Sequence, residues 1–167
     1  MKSDNIVSRI VSELSLEPHP EGGYYRETYR SKVEVTETDE KIRSAGTGIY
    51  FLLPAKVCTN WHRVSSDELW HFYKGDDLVL ELIDEEKQFI RYKLGNSISD
   101  GAFFQQLVPT NCWQRAYSIG SYSLVGCTVS PGFEFEDFEM LGQEELAKQY
   151  PEIAQKILFD PFSVSNS

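Results

Sequence analysis

Between Thr47 and Val129 the chain repeats one pattern. Short runs of β-branched, aromatic and leucine residues are cut at close intervals by turn formers. The runs are 47–53, 57–64, 68–74, 77–83, 88–94, 103–108, 113–118 and 121–129. The cuts are Pro54, Ser65-Ser66-Asp67, Gly75-Asp76, Asp84 to Lys87, Gly95-Asn96, Pro109 and Gly120. Short strands at this spacing predict an all-β sandwich or barrel. In 77–83, Leu78, Leu80 and Leu82 alternate with Val79 and Glu81, as a strand with one face on a core should.

The two ends read differently. Ile6, Val7, Ile10, Val11 and Leu14 form a helical stripe over 4–14, with Ser3 or Asp4 placed to cap it. Pro18 and Pro20 stop the helix, and Gly22-Gly23 supplies a turn. Tyr24, Tyr25, Thr28, Tyr29 and Val33 favour extended chain. The stretch 32–46 reads as a hairpin or loop. A second helical segment is expected over 142–158, with Leu146, Ile153, Ile157 and Leu158 as its apolar positions, before a loose polar tail, Ser163–Ser167. No internal repeat interrupts this plan, and residues 1–167 read as one domain.

Composition narrows the partners. Lys and Arg number 16 against 26 Asp and Glu, a formal charge of −10. Phosphate binding needs a basic face, so nucleic acid is not expected, and neither is an anionic membrane surface. Apolar residues at 41% suffice for a core, which excludes the disordered and fibrous classes. Cys58, Cys112 and Cys127 contain no CxxC pair, which argues against a cysteine zinc site and a disulfide framework. Asp4, Arg9 and Glu13 interrupt the N-terminal apolar residues, and no run approaches the ~20 a membrane helix requires. A cytoplasmic, soluble protein is expected. The acidic clusters 134–139 and 84–86 read as solvated faces, because neither has the ligand offsets of a calcium loop.

The chemistry concentrates in 61–75, WHRVSSDELWHFYKG, which holds His62, His71 and Glu68. A hairpin turning at 65–67 would set His62 opposite Glu68 within hydrogen-bonding reach. A carboxylate beside an imidazole raises its basicity and fixes its tautomer, so His62 is a candidate general base with Glu68 as its orienter. The same pair also reads as a buried hydrogen bond that holds the hairpin together.

These residues resemble the cupin superfamily, with its RmlC-like jelly rolls. Its first motif is matched by His62-x-Val64-x3-Glu68-x6-Gly75 and its second by Pro109-x-Asn111-x2-Gln114. The segments LEPHPEGGYYRETYRS and WHRVSSDELWHFY, with Gln114 following Trp113 later, resemble the uncharacterised Cupin_5 subgroup. The resemblance implies an antiparallel jelly-roll barrel with a pocket at one mouth, often a homodimer. It also implies a possible divalent-metal set at His62, Glu68 and Gln114. Val64 stands where a second histidine would be, and an amide is a poor transition-metal ligand. His71 is three residues from Glu68, so a regular strand points it to the other face unless a bulge intervenes. No metal cofactor is therefore expected, a divalent metal being the alternative.

Gly23-Tyr24-Tyr25-Arg26-Glu27-Thr28-Tyr29 is similar to the early pocket strand of the dTDP-sugar epimerases. In that family the strand lines a nucleotide-sugar site and a histidine removes a proton beside a carbonyl, which makes Tyr25 and Glu27 candidate binding residues and His62 the matching base. An arginine of that pattern is Gly22 here, with Arg26 and Arg30 as the nearby cations. The strand reads equally as one with an exposed polar face. Trp70 and Phe72 share strand parity with Glu68 and are candidates, with Gln114 and His71, to contact a ring or its carbonyl edge. The expected function is binding of a small polar or cyclic metabolite (sugar-, nucleotide- or nucleobase-like), with isomerase or epimerase chemistry at His62 and Glu68. A metal-dependent oxygenase or isomerase and a non-catalytic binding module are the alternatives.

Overall fold

The structure, a computed structural model, describes residues 2–157 and 161–162, with side chains beginning at Ile6. In chain order the elements are α1 (Lys2–Glu13), β1 (Glu17–Pro18), β2 (Tyr24–Arg30), β3 (Glu34–Thr36), β4 (Ile42–Ser44) and β5 (Thr47–Pro54). They continue with β6 (Trp61–Arg63), β7 (Asp67–Gly75), β8 (Leu78–Ile83), β9 (Phe89–Leu94), β10 (Gln105–Val108) and β11 (Trp113–Ser118). β12 (Tyr122–Ser130), β13 (Glu139–Leu141), α2 (Gln143–Gln149) and α3 (Pro151–Lys156) complete the fold. Leu158 and Ser163–Ser167, and the side chains of Ser3 and Asp4, lie outside the described residues.

The expected jelly roll is present as two antiparallel sheets. One has the order β1-β2-β5-β12-β7-β10 and the other β13-β6-β11-β8-β9, and β3 pairs with β4 in a separate hairpin. Alternation decides what each strand buries. Glu68, Trp70 and Phe72 of β7 point inward, while Leu69, His71 and Tyr73 take the other face. Phe51, Leu53, Trp70, Phe72, Leu78, Leu80 and Val125 fill much of the interior. The helices close the outer faces. α1 lies with Leu52, Tyr24 and Leu124 on the six-stranded sheet, and α2 and α3 cover Trp61, Trp113 and Ile83 on the other.

Three expectations change. β6 and β7 are not a hairpin: they belong to opposite sheets, so the 64–66 segment crosses the molecule. The expected strand 57–64 shrinks to Trp61–Arg63, with Cys58 making a single bridge to Tyr117. The acidic run 134–139 is not merely solvated. Lys41 binds Glu136 and Asp137, Arg43 binds Glu37 and Asp137, and Arg30 binds Glu134. These pairs tie the β3–β4 hairpin and β2 to the 133–138 loop. Among the described residues, no helix is long and apolar enough to cross a membrane.

Candidate functional site

At one end the two sheets part around a cavity of about 310 Å³. Its floor comes from His62 on β6 and Glu68 on β7, and its rim from β2 and the 133–138 loop. His62 pairs across the ladder with Gln114 of β11, so both side chains project from the same face of one sheet. Glu68 approaches from the opposite sheet. The three residues that the cupin resemblance singles out therefore meet, although 46 positions separate Glu68 from Gln114.

His62 has a different partner from the one expected. Its Nε2 lies 2.9 Å from Oε2 of Glu21, and its Nδ1 lies 2.8 Å from the Asn60 carbonyl. A carbonyl only accepts, so Nδ1–H donates to it, and Nε2–H donates to the Glu21 carboxylate. The ring is 3% exposed. Burial opposes its charge, but Glu21, Glu68 and the Asn60 carbonyl together raise its pKa to about 9. At neutral pH it is an imidazolium with both N–H groups engaged by the protein. That corrects its expected part as a free general base oriented by Glu68.

Glu21 reaches this position through the turn between β1 and β2. His19 N–H donates to the Gly23 carbonyl and Gly22 N–H to that of His19, both at 3.0 Å, while Asn60 N–H docks on the Glu21 carbonyl. Gly22 and Gly23 have φ of 110° and 76°, a region glycine enters without strain. A Cβ on Gly23 would fall 2.6 Å from the Leu52 carbonyl oxygen. His19 Nδ1 accepts the Glu21 N–H at 3.2 Å, so its proton sits on Nε2. Burial and the nearby His62 charge hold this ring below its ordinary pKa, Glu21 notwithstanding.

Glu68 ends a buried relay. Trp70 Nε1–H donates to Gln114 Oε1 at 3.0 Å, and Gln114 Nε2–H donates to Glu68 Oε2 at 2.6 Å. The indole can only donate, which fixes the amide orientation and aims its NH₂ at the carboxylate. Burial and the Glu21 charge push the Glu68 carboxyl above the usual range, against the pull of His62, Gln114 and the Cys127 thiol. Burial and the same two glutamates push Cys127 far up, so it stays a thiol.

Of the other expected residues, Tyr25 and Glu27 line the cavity. Trp70 and Gln114 stand directly behind Glu68 as supports. Phe72 packs in the interior core. His71 faces outward, accepting from Gln105 and donating to Thr128 Oγ1, because the register slip in β7 falls beyond it. Strand parity thus removes His71 from the ligand-binding set. Arg26 also points away, toward the Tyr50 ring. Arg30 lies at the rim, clamped by both Glu27 oxygens, Glu134 and the Phe133 carbonyl. Nothing in 61–75 points to His19 or Glu21. Their only signal was their place in LEPHPEGG.

The donor set does not fit the metal that cupins commonly hold. Val64 is buried at the second-histidine position, both His62 nitrogens are engaged, and the Gln114 oxygen accepts from Trp70. Among the described residues no three His, Cys, Asp or Glu side chains converge on a point that could hold an ion.

A two-sheet jelly roll with a polar constellation at one mouth is an architecture that cupins share. The chain belongs to the family described as Cupin superfamily (DUF985), whose model matches residues 8–141. It is 27% identical to an uncharacterized protein of Saccharomyces cerevisiae, over 92% of this chain and 85% of the other. A solved hypothetical protein from Leishmania major is 33% identical with a TM-score of 0.83, covering 91% of this chain and 98% of that one. A Shewanella oneidensis protein is 37% identical at TM-score 0.81, covering 89% and 92%. Oxalate decarboxylase from Bacillus subtilis, 14% identical at TM-score 0.57, covers 86% of this chain with 36% of its own length and shares the fold.

Proposed function

We propose that this cupin binds a small cyclic metabolite in the cavity and supports proton transfer at Glu68. The observation that carries this reading is a buried, hydrogen-bonded set of ionisable groups bordering an open space of ligand size. Such groups are costly to bury, and fold stability alone is served as well by apolar residues. Glu68, with its raised pKa, has the protonation behaviour of an acid–base group. The carboxylate takes a proton from a carbon beside a carbonyl and returns it elsewhere, an isomerisation in which the His62 charge offsets the developing negative charge. No step requires a metal.

A thermal-shift screen over unphosphorylated sugars, nucleobases and nucleotide sugars tests binding, and hits are then incubated in D₂O. Wild type should exchange substrate C–H for deuterium. Glu68→Gln, which keeps the acceptor for Gln114, should bind within a few-fold but lose roughly 10²-fold or more of the exchange. Exchange undiminished in Glu68→Gln removes the catalytic half of the reading. Binding undiminished when Val64→Phe fills the cavity removes the rest. On the family resemblance we also propose a cytoplasmic homodimer, which sedimentation as a monomer at micromolar concentration would overturn.

A further inference from the structure

We propose that the cavity selects a ligand with a positively charged nitrogen, an amine or protonated heterocycle, and rejects phosphorylated or carboxylated molecules. This inference rests on the cavity being the binding site. Glu17, Glu21, Glu27, Glu68 and Glu134 line the space, against Arg30 and His62 as its cations. Both cations are already engaged. Four hydrogen bonds hold Arg30 to Glu27, Glu134 and the Phe133 carbonyl, and His62 is bound through both nitrogens. An incoming phosphate would have to displace a protein carboxylate to reach either one. It would also approach Glu68 at close range, where little water screens the repulsion.

A cation meets the opposite conditions. Glu68 and Glu17 border the cavity with no lysine or arginine partner among the described residues. The rim adds aromatic faces independently of charge. Phe133, Phe135 and Phe138 stand at steep angles, with centroids 4.9, 6.1 and 6.3 Å apart. Three rings set edge to face form a corner rather than a flat stack. Tyr25 and His19 extend it, 4.6 Å apart. Ring faces carry partial negative charge and attract ammonium groups, most strongly where water is excluded. Phe138 is stacked on the His62 ring, 5.3 Å away, so the carboxylates together with Phe133, Phe135 and Tyr25 are the surface complementary to one ligand charge.

Three probes on one phenyl frame separate the possibilities: benzyltrimethylammonium, benzyl alcohol and benzoate. Each is titrated into the full chain at pH 7, followed by backbone amide chemical shifts. Benzyltrimethylammonium should bind roughly tenfold or more tightly than benzyl alcohol, and benzoate should not saturate. Phe135 is half exposed, so Phe135→Ala leaves the core intact. It should weaken the cation about fivefold and leave benzyl alcohol within about twofold. Equal or tighter binding of benzoate, or no saturable binding of the cation, overturns the charge selection. Saturable shifts confined to residues outside the cavity overturn the site reading itself, which distinguishes the two failures.

Discussion

His62 is held at both ring nitrogens, and one of its two acceptors is a carboxylate 2.9 Å away. Its pKa near 9 therefore depends on Glu21 more than on any other group, since burial alone would drive it down. Glu21→Gln should carry the His62 midpoint from about 9 to below the ordinary 6.5, read by imidazole ¹⁵N shifts against pH. A midpoint unmoved by the substitution would mean Glu21 is not the partner. The relay behind Glu68 makes a separate demand. Gln114→Leu would leave the Trp70 N–H and the Glu68 carboxylate without their shared partner, at a cost of about 2–5 kcal/mol in urea unfolding. A loss below about 1 kcal/mol would show that water replaces the amide. At this scale the sequence revealed the floor of the site. His62, Glu68 and Gln114 keep a recognisable spacing, whereas Glu21 arrives from another part of the chain and nothing in 61–75 points to it.

The element that delivers Glu21 is the β1–β2 turn, and its geometry depends on Gly23. With φ of 76° and the Leu52 carbonyl in the path of a Cβ, the position has room for no side chain. Gly23→Ala should cost about 1–3 kcal/mol and, by shifting the turn, lower the His62 midpoint although residue 23 does not touch His62. A destabilised variant with an unchanged midpoint would separate the turn from the site. Strand identity was legible because period-two alternation survives in β7 and β12. Strand pairing was less so. Ser65-Ser66-Asp67 signals a break in the strand, but the same residues serve a tight hairpin or a crossover between sheets. Only the packing of both inner faces decides for the crossover that puts Glu68 opposite His62. Likewise, Glu134 and Asp137 look like surface residues until β2 and the β3–β4 hairpin bring Arg30, Lys41 and Arg43 to them.

For the molecule as a whole, these charges set opposite edges of the pH–stability curve. The His62 pKa is raised on folding, so its contribution is complete below about 6.5 and is lost as pH rises through about 9. That loss is on the order of 3 kcal/mol for a shift of this size in a buried ring. Glu68 acts in the same direction: its folded value is raised, so ionising it costs more in the folded chain and stability declines as pH climbs past the unfolded carboxyl range. Asp137 opposes them. Hydrogen bonds from Arg43 hold its pKa down despite burial, so its contribution exists above the ordinary 3.8 and disappears as pH falls through the depressed value. The urea midpoint should therefore peak on the acid side of neutrality, roughly pH 5–6.5, and fall toward pH 9.5. Glu21→Gln should flatten the alkaline arm and leave the acid arm unchanged, and Arg43→Met should do the reverse. A wild-type optimum above pH 8, or a variant that flattens both arms equally, would contradict this assignment of the edges to two separate clusters.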